Sequence, residues 1–236
     1  MDSTHLDEGL DNPVWASLTG AHAHLALGSG AGRAYPADVS PFSGLADQSS
    51  PRAWSDLAQV AGPGAVLVVP ALAVAPPAGF EVSWRLPGVQ LVAGREFRAS
   101  VAAAPTPADV VELTEGDVPD MLDLTARTKP GPFAQRTRAL GRYVGLREQG
   151  RLVAMAGERL RPPGATEISA VCTDPTVRGR GFATLLVRAV AAGVLARGGT
   201  PFLHAAAENT SAIRLYRAMG FELRREIDFA AVVTPA

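Results

Sequence analysis

The sequence predicts an α/β protein in which helices cover a mixed β-sheet. Short apolar runs rich in β-branched residues alternate with longer amphipathic runs, which is typical of strands alternating with helices. A glycine-rich turn joins one apolar run, residues 168–173, to a helical run that begins near Phe182. Two helical runs also have clear ends, because Gly198 follows one of them and Gly220 follows another.

The first 105 residues predict an N-terminal α/β region. Residues 12–27 predict an amphipathic helix, with Asn12 as its cap and Pro13 at the first helical position. Residues 28–51, rich in Gly, Pro and Ser, predict a long loop. The other elements predicted here are a helix at 52–61 and strands at 65–69, 80–85 and 89–93. Residues 99–107 predict a linker, which places a domain boundary near residue 105.

Residues 106–236 form a second predicted domain with a more regular order of elements. These elements are a strand at 110–113, a helix at 117–127, a hairpin of strands at 143–147 and 151–159, a central strand at 168–173, a helix at 182–197, a strand at 202–206, a helix at 209–219, and strands within 221–233. We interpret the order β-α-β-β-β-α-β-α-β as a mixed sheet.

The composition indicates a globular protein and argues against several functions. The chain is 47% hydrophobic and 19% charged, which is enough apolar material for a sizeable core. A net charge of −1 does not suggest a nucleic-acid partner. The lone cysteine, Cys172, excludes an internal disulfide and suits a reducing compartment. The four histidines have no metal-site spacing, so we expect no metal.

Two segments bear on localisation. The first residues are acidic, where a secretory signal peptide would be basic. Residues 60–80 carry no charge, but four prolines interrupt them, so they cannot form the roughly 20 helical residues of a membrane span. We therefore predict a cytoplasmic protein without a membrane anchor.

The turn Arg178-Gly179-Arg180-Gly181 has the composition of an anion-binding loop. Glycines allow the main chain to approach a phosphate closely, and the start of the next helix adds partial positive charge. The turn lacks the Lys-Ser/Thr of a P-loop and the G-x-G-x-x-G spacing of dinucleotide folds. Two interpretations stay open: a site for a phosphorylated cofactor, or an ordinary strand-to-helix turn on a basic surface.

Two motifs carry a resemblance to a known family. Residues 171–175, Val-Cys-Thr-Asp-Pro, precede a loop in which Arg178, Gly181 and Ala183 fit the pattern Gln/Arg-x-x-Gly-x-Gly/Ala. The second motif consists of Asn209, Ala212, Tyr216, Gly220 and Phe221. In this order and separation, the motifs resemble the acyl-CoA-binding core of the GNAT superfamily of N-acyltransferases. The resemblance covers about residues 106–236.

The resemblance implies an N-acetyltransferase that uses acetyl-CoA as its co-substrate and a primary amine of a small molecule or protein as its acceptor. The backbone of the central strand would pair with pantetheine and polarise the thioester carbonyl. The phosphates would lie on the turn and the start of the next helix. The implied cofactor-binding residues are Val171, Cys172, Thr173, Arg178, Gly179, Arg180, Gly181, Phe182, Ala183, Thr184 and Asn209.

The resemblance also implies two catalytic residues. Tyr216 would protonate the departing thiolate, although a tyrosine in this position could also belong to the core. Glu167 would be the base, acting directly or through water; a solvated carboxylate at a strand end is the alternative. His204 is the competing base, because its ordinary pKa near 6.5 suits the task, unless it is a satisfied core histidine. Asn209 could bind the pantetheine arm, cap its helix, or do both.

The sequence leaves the acceptor unspecified. By resemblance, its site would be built from residues 121–133 and from a loop near 224–228, and neither segment selects a substrate. Residues 1–105 could be a degenerate second copy of the same fold without a cofactor. An acyl-CoA sensor without catalysis and an enzyme with a longer acyl donor are alternative functions. A homodimer is also left open.

Overall fold

The computed structural model describes residues 3–102 and 108–236. The helices are α1 Ser3–Asp11, α2 Pro13–Thr19, α3 Pro51–Ala61, α4 Arg95–Ala102, α5 Val118–Thr128, α6 Phe182–Ala196 and α7 Thr210–Met219. The strands are β1 Gly32–Ala34, β2 Ser43–Leu45, β3 Val66–Pro70, β4 Glu81–Ala93, β5 Val111–Leu113, β6 Tyr143–Glu148, β7 Arg151–Glu158, β8 Ala165–Thr173, β9 Thr200–Ala206 and β10 Phe221–Val233.

In these ranges, eight strands form one mixed sheet in the order β3-β10-β4-β9-β8-β7-β6-β5, and β1 pairs with β2 apart from it. Neighbouring strands of the large sheet are antiparallel except β8 and β9, which are parallel. The crossover between these two parallel strands contains α6, as a parallel pair requires. The predicted mixed α/β fold is confirmed.

Both halves of the chain contribute strands to this sheet. β4 lies between β9 and β10, with Leu91 opposite both Leu203 and Leu223. β3 extends the sheet beyond β10 and forms its edge. The predicted boundary near residue 105 falls in 103–107, outside the described residues. The division into two domains therefore stays a prediction.

Helices cover both faces of the sheet. α4, α6 and α7 share one buried cluster with Leu203 and Leu91, and we call this side the α6 face. α1 and α2 share another cluster with Phe202 and Phe229, and we call that side the α1 face. Successive residues of a strand point to opposite faces, so Leu203 faces α6 whereas Phe202 faces α1. Among the described residues, no helix has both the length and the apolar character needed to cross a membrane.

The predicted elements of residues 106–219 are confirmed with small shifts at their ends, and the prediction for 221–233 needs a correction. β10 is a single strand with a bulge between Leu223 and Arg225, so there is no loop at 224–228. The neighbour of β10 is therefore β4, from the first half of the chain, and not a second terminal strand.

Several predictions for the first half are wrong in detail. The helix predicted at 12–27 is α2 followed by a short 3-10 turn at Ala23–Leu25, and α1 was missed. The predicted loop at 28–51 contains β1 and β2, and the predicted linker at 99–107 begins inside α4. The helix at 52–61 and the strand at 65–69 are confirmed as α3 and β3.

The strands predicted at 80–85 and 89–93 are one strand, β4, which continues through Pro87 and Gly88. Gly88 is required for packing here: a Cβ at this position would lie 2.8 Å from Phe229 Cε2 and 2.9 Å from the Ala205 carbonyl oxygen. Pro87 stays in the ladder through its carbonyl group, which accepts a hydrogen bond from Ala207 N–H at 2.8 Å. A glycine in a strand can thus mark a close approach of another group.

The shared sheet makes the domain division testable. If residues 106–236 are expressed alone, β9 and β10 lose the strand between them, and the buried Leu203 loses its neighbour Leu91. We expect this fragment to be unfolded or aggregated because unpaired strand edges and exposed apolar side chains are both unfavourable. Circular dichroism and size-exclusion chromatography of the fragment, with and without co-expressed residues 1–105, check this. A folded, monomeric fragment would show that the second domain is independent.

Candidate active site

The site begins where β8 and β9 separate. The two strands pair in parallel at Ala165–Thr200, Thr166–Pro201 and Glu167–Phe202, and their register ends there. Beyond this point β8 carries an irregularity in its pairing with β7, and Ala170 has a φ of 52°. A slot therefore opens between the second halves of β8 and β9. It belongs to a cavity of about 710 Å³.

This cavity connects the two faces of the sheet. Tyr216, on α7, lines it from the α6 face and packs in the cluster of that face. His204 lines it from the other side: it is two residues from Phe202 along β9 and contacts the rings of Phe202 and Phe229. A molecule bound on one face can therefore reach a molecule bound on the other.

The glycine-rich turn forms an open cradle at the start of α6. Gly179 and Gly181 have φ values of 80° and 81°, and a Cβ added to either would meet no atom within 4 Å. In the described chain, no hydrogen bond uses the amide N–H groups of residues 178–184. The first such bond runs from Leu185 N–H to the Gly181 carbonyl oxygen, at 3.1 Å. These amides, at the positive end of a 15-residue helix, are available to an anion.

The two arginines of the turn are in different environments. Arg180 forms an ion pair with Glu148 at 2.6 Å, and its guanidinium lies 4.7 Å from the ring centre of Phe182. Arg178 donates only to the carbonyl oxygen of Thr173, at 3.3 Å, and has no carboxylate partner among the described residues. Arg178 therefore contributes the less compensated positive charge at the cradle.

The predicted residues of β8 lie beside the slot and the cradle. Val171 and Thr173 are partly exposed, whereas Cys172 is buried. Burial raises the pKa of the Cys172 thiol to about 11, so this side chain stays neutral. The hydroxyl oxygen of Thr173 is buried and has no hydrogen-bond partner in the described structure. A buried polar atom without a partner is unfavourable, which makes Thr173 Oγ1 a candidate ligand contact.

Three residues of the second motif, Asn209, Ala212 and Tyr216, line the same cavity. Tyr216 is buried, with 7% of its surface exposed, and within the described ranges its hydroxyl has no hydrogen-bond partner. Burial raises its pKa to about 12. Asn209 caps α7: its Oδ1 accepts from Ala212 N–H at 3.2 Å. The cap role of Asn209 is thus confirmed, and its exposed position in the cavity leaves room for a ligand contact.

Glu167 is fully buried and is held by two basic groups. Arg159 binds it in a bidentate ion pair, with Nε 2.8 Å from Oε2 and Nη2 2.6 Å from Oε1. His204 Nδ1 lies 2.7 Å from Oε1. Burial acts to raise the pKa of Glu167, but the charge and hydrogen bonds of Arg159, together with His204, outweigh it and lower the pKa to about 2. The alternative of a solvated strand-end carboxylate is therefore wrong.

A glutamine from the first half of the chain fixes the protonation of His204. Gln90 Oε1 accepts from Arg224 Nη1 at 3.1 Å, so the Gln90 amide nitrogen must be a donor. That nitrogen donates to the Leu10 carbonyl oxygen and lies 3.1 Å from His204 Nε2. Nε2 is therefore the acceptor, and Nδ1 carries the proton shared with Glu167.

Comparisons with known proteins agree with this geometry. The family model described as FR47-like protein matches residues 143–230. N-alpha-acetyltransferase RimI of Mycobacterium tuberculosis is 35% identical over 127 residues, which cover 49% of this chain and 79% of that protein. An uncharacterized protein of Mycobacterium leprae is 32% identical over 170 residues, covering 67% of this chain and 44% of that protein.

The solved structure of a GNAT-family protein from Novosphingobium aromaticivorans superposes with a TM-score of 0.81 at 39% identity, covering 96% of this chain and 98% of that chain. The chain belongs to the GNAT family. It is an acyltransferase enzyme, as the motifs of residues 171–183 and 209–221 predicted. The solved relative also spans the first half of the chain, which the two motifs do not reach.

The GNAT family uses acetyl-CoA as its co-substrate, and the residues present fit that molecule. The amides of residues 178–184 are free to bind phosphate oxygens, and the space above Gly179 and Gly181 is open. The unsatisfied hydroxyl of Thr173 offers a further polar contact. Where the structure describes side chains, no three His, Cys, Asp or Glu residues group as metal ligands would. The individual roles of the site residues stay predictions.

The Glu167 ion pair predicts a specific pH dependence of stability. The pKa of Glu167 is 4.5 ordinarily and about 2 in the fold, so its contribution is complete above pH 4.5 and is lost as the pH falls towards 2. That contribution corresponds to about 3 kcal/mol. Glu167→Gln should cost about 3–5 kcal/mol at pH 7, because Arg159 then remains as a buried, unpaired charge.

Urea unfolding at pH 7, 4.5 and 3 measures this effect. The stability difference between the native chain and Glu167→Gln should shrink between pH 4.5 and pH 3. The double variant Glu167→Gln/Arg159→Met removes both charges and should lose much less stability than Glu167→Gln alone. A difference that does not change with pH would show that the pKa of Glu167 is the same in the folded and unfolded chain.

Proposed function

We propose that this enzyme transfers an acetyl group from acetyl-CoA to a primary amine, with acetyl-CoA bound on the α6 face and the amine entering from the α1 face. The observation that supports this most directly is the single cavity that reaches both Tyr216 and His204 through the slot between β8 and β9. Acetyl-CoA, when bound, supplies the thioester, and the chain supplies the positioning and the proton transfers.

Main-chain groups provide most of the proposed cofactor site. The free amides of residues 178–184 would hold phosphate oxygens, and Arg178 would add a full charge. The backbone of Val171–Thr173 borders the slot, where β9 no longer pairs with β8. Asn209, which stands at the head of α7 and lines the cavity, would contact the pantetheine arm while it caps the helix.

Tyr216 is proposed as the acid. Because burial raises its pKa to about 12, the hydroxyl keeps its proton throughout the physiological pH range. A hydroxyl that has no partner in the described structure is free to donate into the slot. A donor at this point would stabilise a departing thiolate, either by a hydrogen bond or by proton transfer.

His204 is a better candidate base than Glu167. A carboxylate with a pKa of about 2 has little affinity for a proton at pH 7, and Glu167 does not line the cavity. His204 does line it. We propose that His204 accepts the amine proton at Nε2, which requires the Gln90 amide to release that nitrogen, and that Glu167 stabilises the protonated ring through Nδ1–H.

The Mycobacterium tuberculosis relative is named an N-alpha-acetyltransferase, which supports a primary amine acceptor here. The match to that relative covers 49% of this chain. It therefore does not specify which groups the acceptor carries besides the amine. The cytoplasmic location and the homodimer stay predictions from the sequence.

Arg178→Glu should weaken CoA binding by at least about tenfold, because it replaces a cation at the cradle with an anion. Isothermal titration of the full chain with CoA measures the Kd. Arg98→Glu is the matched control, since Arg98 is an exposed arginine of α4 whose replacement makes the same change in net charge. Equal affinities for both variants would place the phosphates elsewhere.

Tyr216→Phe should lower kcat by about 100-fold and leave the Kd for CoA nearly unchanged. Only the hydroxyl is removed, so the packing of the ring against Phe221 is kept. Steady-state kinetics over a panel of amines, together with CoA titration, separate the two quantities. An unchanged kcat would exclude the acid role, and CoA binding without turnover in the native chain would favour a sensor.

A further inference from the structure

The cavity continues past His204 into an apolar region that the transfer chemistry does not require. Five side chains line this region, which we call the aromatic subsite: Phe42, Val68, Trp84, Leu86 and Phe229. Four of them come from the first half of the chain and one comes from β10. We propose that the aromatic subsite binds an aromatic ring of the acceptor, so that the substrate is a primary amine with an aryl group near the nitrogen. This inference rests on the proposed function.

Strand register places the subsite on the same face as His204. Gln90 lies directly opposite His204, and Gly88, Leu86 and Trp84 follow on the same side of β4 at intervals of two residues. Leu86 lies opposite Phe229, and Trp84 lies opposite Ala231, which in turn is opposite Val68. Side chains opposite each other in a ladder share a face. These residues therefore form a continuous surface that begins at His204.

The end of β9 opens this surface to the cavity. β9 stops at Ala206, opposite Gly88, and the hydrogen bond of Ala207 to Pro87 is the last on that side, so from Leu86 towards Glu81 the strand β4 pairs only with β10. Gly88 lets the Phe229 ring lie across β4, because a Cβ there would come within 2.8 Å of that ring. The uncovered edge of β4 thus borders the space into which an acceptor would project.

Aromatic rings line the path from the base to the subsite. The centre of the Phe229 ring is 5.9 Å from that of His204 and 6.2 Å from that of Phe42, with which it is stacked. The Arg159 guanidinium lies 4.7 Å from the centre of the Phe42 ring. A planar apolar group entering here would meet ring faces and edges, which favour a further aromatic ring.

Trp84 provides the most direct support. It is 45% exposed although it borders a cavity, and within the described ranges its indole has no aromatic or cationic partner. A large exposed aromatic side chain in a cavity is typical of a ligand contact. Among the charged residues that line the cavity, Arg159 is the one that contacts the Phe42 ring, and its charge is already paired with Glu167.

The arrangement of the two sheet faces favours the acceptor over a longer acyl chain as the occupant of the aromatic subsite. The cradle at the start of α6 and Tyr216 on α7 lie on the α6 face, where we place the donor. The aromatic subsite lies on the α1 face together with Phe202. A group reaching it from the donor would have to pass through the slot, where the amine must bind. The acceptor reaches it without crossing the sheet.

The test compares matched acceptors in steady-state assays of the full chain with acetyl-CoA. The small-molecule arm uses 2-phenylethylamine and hexylamine; the peptide arm uses dipeptides that begin with phenylalanine or alanine. In at least one of the two pairs, we expect a higher kcat/KM for the acceptor that carries the aromatic ring. The pair that shows this difference indicates whether the ring belongs to a small amine or to a peptide. Trp84→Ala should lower that kcat/KM by about tenfold, mainly through KM, and leave the aliphatic member within about twofold.

Leu223→Ala is the control variant, because Leu223 is an exposed apolar residue of β10 that does not line the cavity. It should leave both acceptors unchanged. Equal losses for aryl and aliphatic amines in Trp84→Ala would overturn the aromatic subsite. Trp84→Ala could instead change the preference for acyl-CoA chain length and leave the preference among acceptors unchanged. That result would also overturn the proposal, because the aromatic subsite would then hold the acyl chain.

A binding measurement separates this inference from the proposed function. If no amine is acetylated although CoA binds, 2-phenylethylamine is titrated into the CoA complex while tryptophan fluorescence is recorded. Saturable quenching that is lost in Trp84→Phe would support the subsite even though the acetyl-transfer proposal had failed. The absence of quenching in the native chain would overturn the subsite as well.

Discussion

The buried carboxylate of Glu167 holds the sheet together at the point where the slot begins. Glu167 is the last residue of β8 that pairs with β9. Its side chain reaches Arg159, just beyond β7, and His204, on β9, so one charged group joins the strands on both sides of β8. Its backbone adds bonds to the same segment as Arg159: Glu167 N–H donates to the Leu160 carbonyl, and its own carbonyl accepts from Arg159 N–H.

This arrangement explains why a buried ion pair is found in the centre of the protein. Replacing buried charges with apolar groups often leaves stability unchanged or increases it, so stability alone does not account for such a pair. Here the pair fixes the position at which two parallel strands separate, and it orients a histidine that lines the resulting cavity. The geometry of the slot therefore depends on keeping both charges in place.

Local sequence patterns predicted the cradle and the second motif, residues 209–221, because each lies within one short segment. A strand, a glycine turn and a helix start are adjacent in the chain, and the α7 residues recur at helical spacing, so both follow from sequence periodicity. The mixed α/β fold follows from the order of such segments. Gln90 and Arg159 could not be found in this way, since their roles depend on strand register between residues that are distant in the chain.

The errors have related causes. The sequence predicted separate strands at 80–85 and 89–93, whereas β4 is continuous and the packing of Phe229 requires a glycine at position 88. A loop was expected near 224–228 because a terminal hairpin was assumed, whereas β4 supplies the neighbouring strand. A solvated strand-end carboxylate was the alternative role for Glu167, yet the first half of the chain covers that face and buries the side chain. In each case tertiary contacts override a local preference.

The two faces of the sheet use different kinds of groups, and this has consequences for specificity. On the α6 face, free main-chain amides at the cradle suit a ligand whose phosphates are the same for every acceptor. On the α1 face, the cavity is lined by side chains, most of them supplied by residues outside the two motifs. Substitutions at Phe42, Trp84 or Leu86 can change the acceptor pocket without altering the backbone of the cradle. The first half of the chain thus completes the sheet and also provides the surface most able to determine which amine is bound.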